Sequence, residues 1–447
     1  MKYLKKIVAA FFCAVLLFSC QKKSAESKNA KSEPIVSQPP KSESDEIKKV
    51  FQEIPKGVPS GTIEKTGGFF DCAELSYPKN VIVIDDELYP DKKKKREAFT
   101  NAISSGSVDS SKLSEDEALI LLFGTVDLSD GNVSDSDHSY FDEFDSETHK
   151  KVHADFVYEV GSNKTILGIE NAKIAFGGLR IKARPTNTAN NIVIRNVEFW
   201  DAHGSTDFDT LIPEFKDKKA GSDQISVEGT YAKGEYVSEF IPENIWIDHC
   251  SFSDGVCVDL DRNFNHDGAI DVKAVHNMTI SWCDFSNHDK VTLIGSGDKF
   301  TESKDRQITF HHNYYHGTVQ RMPRSRGCQV HLYNNVYENI GTEKNHGYSL
   351  GPGIGSLFIV EGNTFGSHKG KILRYADSSK PEDETFSKLF VNKNNPELDS
   401  KNSEQFELHA VNEKPFLIPY EYDLLSAEES ATLVKAQAGA TLKYNVR

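Results

Sequence analysis

NIWIDHCSF (244–252), NMTISWCDF (277–285) and QITFHHNYY (307–315) are three versions of one nine-residue phrase. NIVIRNVEF (191–199), QVHLYNNVY (329–337) and LFIVEGNTF (357–365) supply three more. The second and fourth places are apolar in all six: Ile192/Ile194, Ile245/Ile247, Met278/Ile280, Ile308/Phe310, Val330/Leu332 and Phe358/Val360. The ninth is always aromatic (Phe199, Phe252, Phe285, Tyr315, Tyr337, Phe365), and the seventh runs Val197, Cys250, Cys283, Asn313, Asn335, Asn363.

Alternation at period two marks strands with one buried face. A lone strand cannot bury that face, so the copies must stack into one continuous core. Their starts are 53, 33, 30, 22 and 28 residues apart, which suits one coil per copy with longer loops in the earlier coils. Fixed columns of aromatic rings and of Asn suit in-register stacking, where each amide bonds to the next. The predicted fold is all-β, a right-handed parallel β-helix.

Working outward, KTILGIENAKIAFGGLRIKA (Lys164 to Ala183) reads as the first full coil. Residues 57–160 are less regular and are expected to cap the amino-terminal end. The acidic run from Asp127 to Asp145 reads as a solvated loop, and 370–415 as polar loop. Ser426 to Glu429 is a capping box before an apolar-periodic run ending at Gly439, which predicts one short C-terminal helix on the last coils.

Ahead of this domain (57–447), residues 1–20 combine Lys2, Lys5 and Lys6 with an apolar run from Ile7 to Phe18 and then Ser19-Cys20. That is a secretory signal, too short for a spanning helix. Leu17-Phe18-Ser19-Cys20 resembles a bacterial lipoprotein signal, which implies an acylated Cys20; the alternative is an ordinary signal cleaved nearby. Residues 21–56, rich in Lys, Ser, Glu and Pro, predict a disordered linker. The expected location is secreted or lipid-anchored at a bacterial cell surface or outer membrane, with membrane contact only through the anchor and the chain a monomer.

Seven cysteines occur. Without Cys13 and Cys20 five remain, so not all can pair within the chain. Cys250 and Cys283 share a column and are expected to stack as buried thiols, because directly stacked strands rarely present disulfide geometry. No cysteine spacing resembles a zinc site.

The formal net charge of −15 repels a polyanion and argues against nucleic acid as a partner. Against that background Arg321, Arg324 and Arg326 crowd into six residues, with Lys290 about one coil earlier. DQISV from Asp223, AIDV ending at Val272 and KVTLI from Lys290 predict a second stacked sheet. Asp271, between inward Ile270 and Val272, must point outward, as must Lys290 before Val291. Asp223 begins its strand at a similar height and Asp267 approaches from the preceding turn. Three carboxylates thus converge beside several cations, which is what Ca²⁺ accepts; the competing reading is solvated surface aspartates, common in a chain with 67 acidic residues.

WIDH (246–249), DGAIDVK (267–273), HDKVTLIG (288–295), ITFHHNYY (308–315) and QRMPRSR (320–326), in this order, resemble polysaccharide lyase family 1, the pectate lyases. The likeness runs from about Gly161 to Phe365, with a weaker echo from Pro419 to Gly439. It implies that Asp223, Asp267 and Asp271 bind Ca²⁺ bridging enzyme and uronate, and that Arg321 is the general base. It further implies that Lys290 and Arg326 hold the substrate carboxylate. Arg324 and Gln320 lie in the same motif, Arg324 as a further candidate for substrate binding, while Asp248 and His249 would be structural. The implied reaction is β-elimination on 1,4-linked polygalacturonate, an acidic polysaccharide. The alternatives are a lyase for methylated pectin, a galacturonan hydrolase, and a non-catalytic polysaccharide-binding surface lipoprotein.

Overall fold

The structure is a computed structural model that describes residues 56–141, 144–145, 150–151, 155–204, 222–256, 258, 260, 266–298, 306–375, 383–392 and 407–446. The signal segment, Cys20 and nearly all of the linker lie outside the described residues, as does Cys257.

The nine-residue phrases form the strands Ile192–Arg195, Glu243–Asp248, Val275–Ser281, Arg306–His311, Gln329–Tyr333 and Leu357–Glu361, each parallel to the next. Register is the one the phrase implies: Ile192, Ile245, Met278, Ile308, Val330 and Phe358 share one row. The end of each phrase turns a corner into a short second strand, as in Ser251–Ser253 and Asp284–Ser286. Those short strands stack on one another to form a second face. The two faces join at the long strand Lys164–Ala175, whose start pairs with Ile192–Arg195 and whose end pairs with Glu198–Trp200. An eight-stranded sheet among the described residues closes the third side. The result is a parallel β-helix.

Inside, the ninth-place rings stack from Phe199 through Phe252, Phe285, Tyr315 and Tyr337 to Phe365, with centroids 4.7–5.0 Å apart. At the seventh place Asn313 Nδ2 donates to Asn335 Oδ1 at 2.9 Å, and Asn335 Nδ2 to Asn363 Oδ1 at 2.8 Å. Each amide also donates to a backbone carbonyl one coil back, so the buried column carries its polar groups paired. Cys250 and Cys283 are buried free thiols in this column.

The flanks are more regular than the sequence implies. Ala118–Asp127 already pairs with Lys164–Ala175, and Val81–Ile84 pairs with Ala118–Asp127, so the main sheet begins before Lys164. The helix Lys92–Ser105 (α1) covers this end; Asp91 Oδ1 accepts from Lys94 N at its start, and Gly106 (φ 73°) ends it. The acidic run is not wholly solvated, since Leu128, Val133 and Phe141 are buried. Lys371–Leu373 and Lys388–Val391 extend two sheets through the region expected to be loop.

The C-terminal helix Ala427–Gln437 (α2) carries the predicted capping box: Ser426 Oγ accepts from Glu429 N while Ser426 N donates to Glu429 Oε2. Ser430 Oγ donates to Asn334 O and fixes it on the later coils. Ser426→Ala should cost about 1 kcal/mol, read as a lower urea midpoint at unchanged m-value.

Candidate active site

The third sheet carries the site. Ile225, Ile270 and Val227, Val272 pair inward, which leaves Ser226 and Asp271 side by side on the outer face. Val272 then pairs with Ile294, and Leu293 with Arg324. One step toward the strand starts, Gly268, Lys290, Gln320 and Tyr348 form a continuous row of bridges. Regular strand covers only Leu293–Ile294, so Lys290 lies in a bridge position just ahead of the strand expected to begin with it.

Carboxylate oxygens of Asp223, Asp267 and Asp271 lie within 4.8 Å of one another. Gly268 N donates to Asp223 Oδ1 at 2.8 Å, and Leu293 N to Asp271 Oδ1 at 3.0 Å. Gly268 is required for the cradle: a Cβ there would stand 2.2 Å from Asp271 Oδ1 and 3.2 Å from Asp223 Oδ1. Burial, followed by the charges of Asp271 and Asp267, pushes the Asp223 carboxyl well above the usual range. Burial, then the charge of Asp267, pushes Asp271 up to about 7, although Arg321 and Lys290 pull the other way. Crowded, buried carboxylates resist ionising together, and a bound cation would relieve that resistance. An all-oxygen trio with a bare glycine between its members therefore fits a hard divalent cation such as Ca²⁺.

The cations line the adjoining rungs. Lys290 Nζ lies 2.8 Å from Asp267 Oδ1, with the lysine side chain almost wholly buried. Arg321 is held at φ 67°, a left-handed conformation uncommon for a branched-free long side chain and found disproportionately at functional sites. Its Nε is buried without a hydrogen-bond partner. Arg324 follows on the strand Arg324–Ser325, where burial, with Arg326 and Arg321 beside it, lowers its pKa. Arg326 Nε pairs with Asp298 Oδ1 at 2.5 Å, and its Nη1 donates to Gly295 O. Gln320 Nε2 donates to Asp289 Oδ1 at 2.9 Å.

The structure therefore brings Asp223, Asp267, Asp271, Lys290, Arg321 and Arg324 onto one face, with Arg326 beside Gly295 of the preceding coil and partly engaged by Asp298. Asp298 and Tyr348 escaped sequence reasoning. Tyr348 could have been found by extending the Lys290–Gln320 row one coil; its ring lies 5.4 Å from the Arg374 guanidinium, another cation at this edge. Asp248 and His249 have structural surroundings. Asp248 is buried, accepts from Ser281 Oγ at 2.6 Å, and pairs with Arg195 Nε at 2.8 Å and His249 Nδ1 at 2.7 Å.

Fold and site together define a parallel β-helix protein with a carboxylate cradle and a cationic flank on its third sheet. A family model described as pectate lyase matches residues 130–443, and the chain belongs to the pectate lyase family. Among its relatives, a pectate trisaccharide-lyase of Thermotoga maritima is 40% identical over 183 residues, covering 40% of this chain and 41% of the relative. A pectate lyase of Bacillus subtilis is 34% identical, covering 46% of this chain and 47% of its own. The chain thus spans less than half the length of these two. Pectate lyase D of Dickeya chrysanthemi is 28% identical over 72% of this chain and 78% of its own. The solved structure of a thermostable pectate lyase superposes with a TM-score of 0.58 at 26% identity, covering 85% of this chain and 98% of that one. A pectate lyase bound to a hexasaccharide shares the fold, with a TM-score of 0.53 at 21% identity over 86% and 98% of the two chains.

Proposed function

We propose that this protein is a Ca²⁺-dependent pectate lyase that cleaves 1,4-linked polygalacturonate by β-elimination, leaving a 4,5-unsaturated end. The observation that carries this reading is the close trio Asp223, Asp267 and Asp271 beside Lys290, Arg321 and Arg324 on one sheet face. An acidic polysaccharide brings carboxylates to the cations of this face, and a fully methylated one does not.

Asp223, Asp267 and Asp271 are assigned as the residues that would hold Ca²⁺. When bound, the ion neutralises a uronate carboxylate and stabilises negative charge building at the adjacent C5. Lys290 and Arg326 hold the same carboxylate, Lys290 with its ammonium and Arg326 with its guanidinium, whose Nε and Nη1 already contact Asp298 and Gly295 O. Arg324 adds positive potential from the next position of the strand. Arg321 takes the C5 proton: the C–H electron pair becomes the C4=C5 double bond, the C4–O bond breaks, and the departing sugar oxygen collects a proton. No water is added across the bond. Guanidinium ordinarily keeps its proton, so the rate should climb toward alkaline pH.

Polygalacturonate incubated with the protein at alkaline pH should develop the ultraviolet absorbance of the unsaturated product in Ca²⁺ and not in chelator. Product formed equally well in chelator would remove the metal from this account. Binding to the polymer without absorbance would replace the enzyme by a polysaccharide-binding protein.

We also propose export of the monomer, with Cys20 acylated and residues 21–56 as a tether. The support is the basic-then-apolar segment ending at Cys20; no helix among the described residues is long and apolar enough to cross a membrane. Cys20→Ser should abolish incorporation of labelled fatty acid in a bacterial host; retained label would place the lipid elsewhere.

A further inference from the structure

A second cluster of ligating side chains lies off the carboxylate cradle. His138, from the loop before the short 3₁₀ turn Ser139–Phe141, meets Asp201 and His203, which follow the strand Glu198–Trp200. One donor atom from each falls within 4.8 Å of the other two. His138 Nε2 is 2.8 Å from Asp201 Oδ2, and His203 Nδ1 is 3.7 Å from Asp201 Oδ1. The two contacts run to different oxygens of Asp201, so the carboxylate stands between the two imidazoles.

Asp201 is fully buried and His203 is 3% exposed. His203 Nδ1 is a buried nitrogen without a hydrogen-bond partner, aimed toward the Asp201 carboxylate. Such an orphan costs stability unless something occupies its lone pair or accepts its proton. Around it, the His138 ring lies 4.2 Å and the Phe141 ring 5.2 Å away, so the ring is fixed in place. Behind it, His266 Nε2 hydrogen-bonds Asp201 Oδ1 at 2.8 Å and orients the carboxylate from the far side. An oriented carboxylate, backed by a further hydrogen-bonding group, is the usual outer support of a metal site.

We propose that His138, Asp201 and His203 form a second metal site, selective for Zn²⁺-class transition ions over Ca²⁺. Two imidazoles and one carboxylate suit Zn²⁺, Co²⁺ or Ni²⁺, whereas Ca²⁺ takes oxygen ligands. Three protein ligands leave a position for water. The ion would replace the His138–Asp201 hydrogen bond and tie the loop around residue 138 to the end of the strand Glu198–Trp200. Because His266 directly precedes Asp267, the site would also brace the segment that enters the carboxylate cradle. Sequence spacing hides it: His138 lies 63 residues before Asp201.

Zn²⁺ titrated into the whole chain in saturating Ca²⁺, against a chromophoric chelator, should show one tight site per chain. Co²⁺ in its place should give the visible absorption of a low-coordinate nitrogen-ligated ion. His138→Ala and His203→Ala should each weaken Zn²⁺ binding by about tenfold or more, and melting curves in chelator report whether each variant folds. His203 is deeply buried, so His138→Ala, whose side chain is 13% exposed, keeps the test decisive if the other fails to fold. No Zn²⁺ binding by the folded protein, binding displaced by Ca²⁺, or binding undiminished in folded His138→Ala would each overturn the site.

Discussion

Arg321→Ala is expected to lower kcat on polygalacturonate by about 10²–10⁴-fold, the share of a general base. Stability should barely move. The Arg321 Nε makes no hydrogen bond, and the backbone contact at this position, Thr292 N donating to Arg321 O at 2.7 Å, survives the substitution. Alanine meets the same left-handed penalty at φ 67° that arginine already carries. Arg321→Lys keeps a cation on the rung but moves the donor, and should recover little of the rate. A large loss of melting temperature in Arg321→Ala would make the residue structural; full activity would assign the proton to another group.

Asp271→Asn separates the metal from the fold. The Asp271 carboxyl is raised to about 7 by burial and by Asp267, against about 3.9 in an unfolded chain. The metal-free folded state therefore prefers the protonated acid. Stability from this group is present at low pH and is lost as pH rises between about 4 and about 7. Asparagine mimics the protonated acid and can still accept from Leu293 N. At pH 8 without metal the variant should be more stable than wild type, on the order of 1–3 kcal/mol after allowing for the shared charge, and at pH 4 the difference should vanish. Ca²⁺ should raise the melting temperature of wild type at pH 8 and less so as pH falls below about 7, because ligands must be ionised to bind; in the variant it should do nothing. A Ca²⁺ shift retained in Asp271→Asn would remove this carboxylate from the cradle.

The repeat was legible because each phrase marks its own register. Alternating apolar places give one buried face, the ninth-place ring stacks on the next copy, and in the last three copies the seventh-place Asn does too. Ala118–Asp127 carries no such mark. Ile120 and Leu122 face the main core, while Leu119 and Leu121 pack outward with Val58, Val83 and Leu167, so a strand covered on both sides reads as an unbroken apolar run. Lys388–Val391 is too short and polar-flanked to stand out, and becomes a strand only because Leu357–Glu361 offers an unpaired edge. Among site residues, Asp271 and Lys290 could be placed outward from their inward neighbours. The Arg326–Asp298 pair and the closeness of His138 to Asp201 depend on loops whose paths the repeat does not set.

Mass analysis of the oligosaccharides released from polygalacturonate tests the central claim most directly. Elimination predicts new ends lighter by one water than hydrolytic ends and absorbing in the ultraviolet, produced by the wild type in Ca²⁺ and nearly absent with Arg321→Ala. Products carrying an added water at the cleaved bond would contradict β-elimination at this face and return the fold to the hydrolase reading.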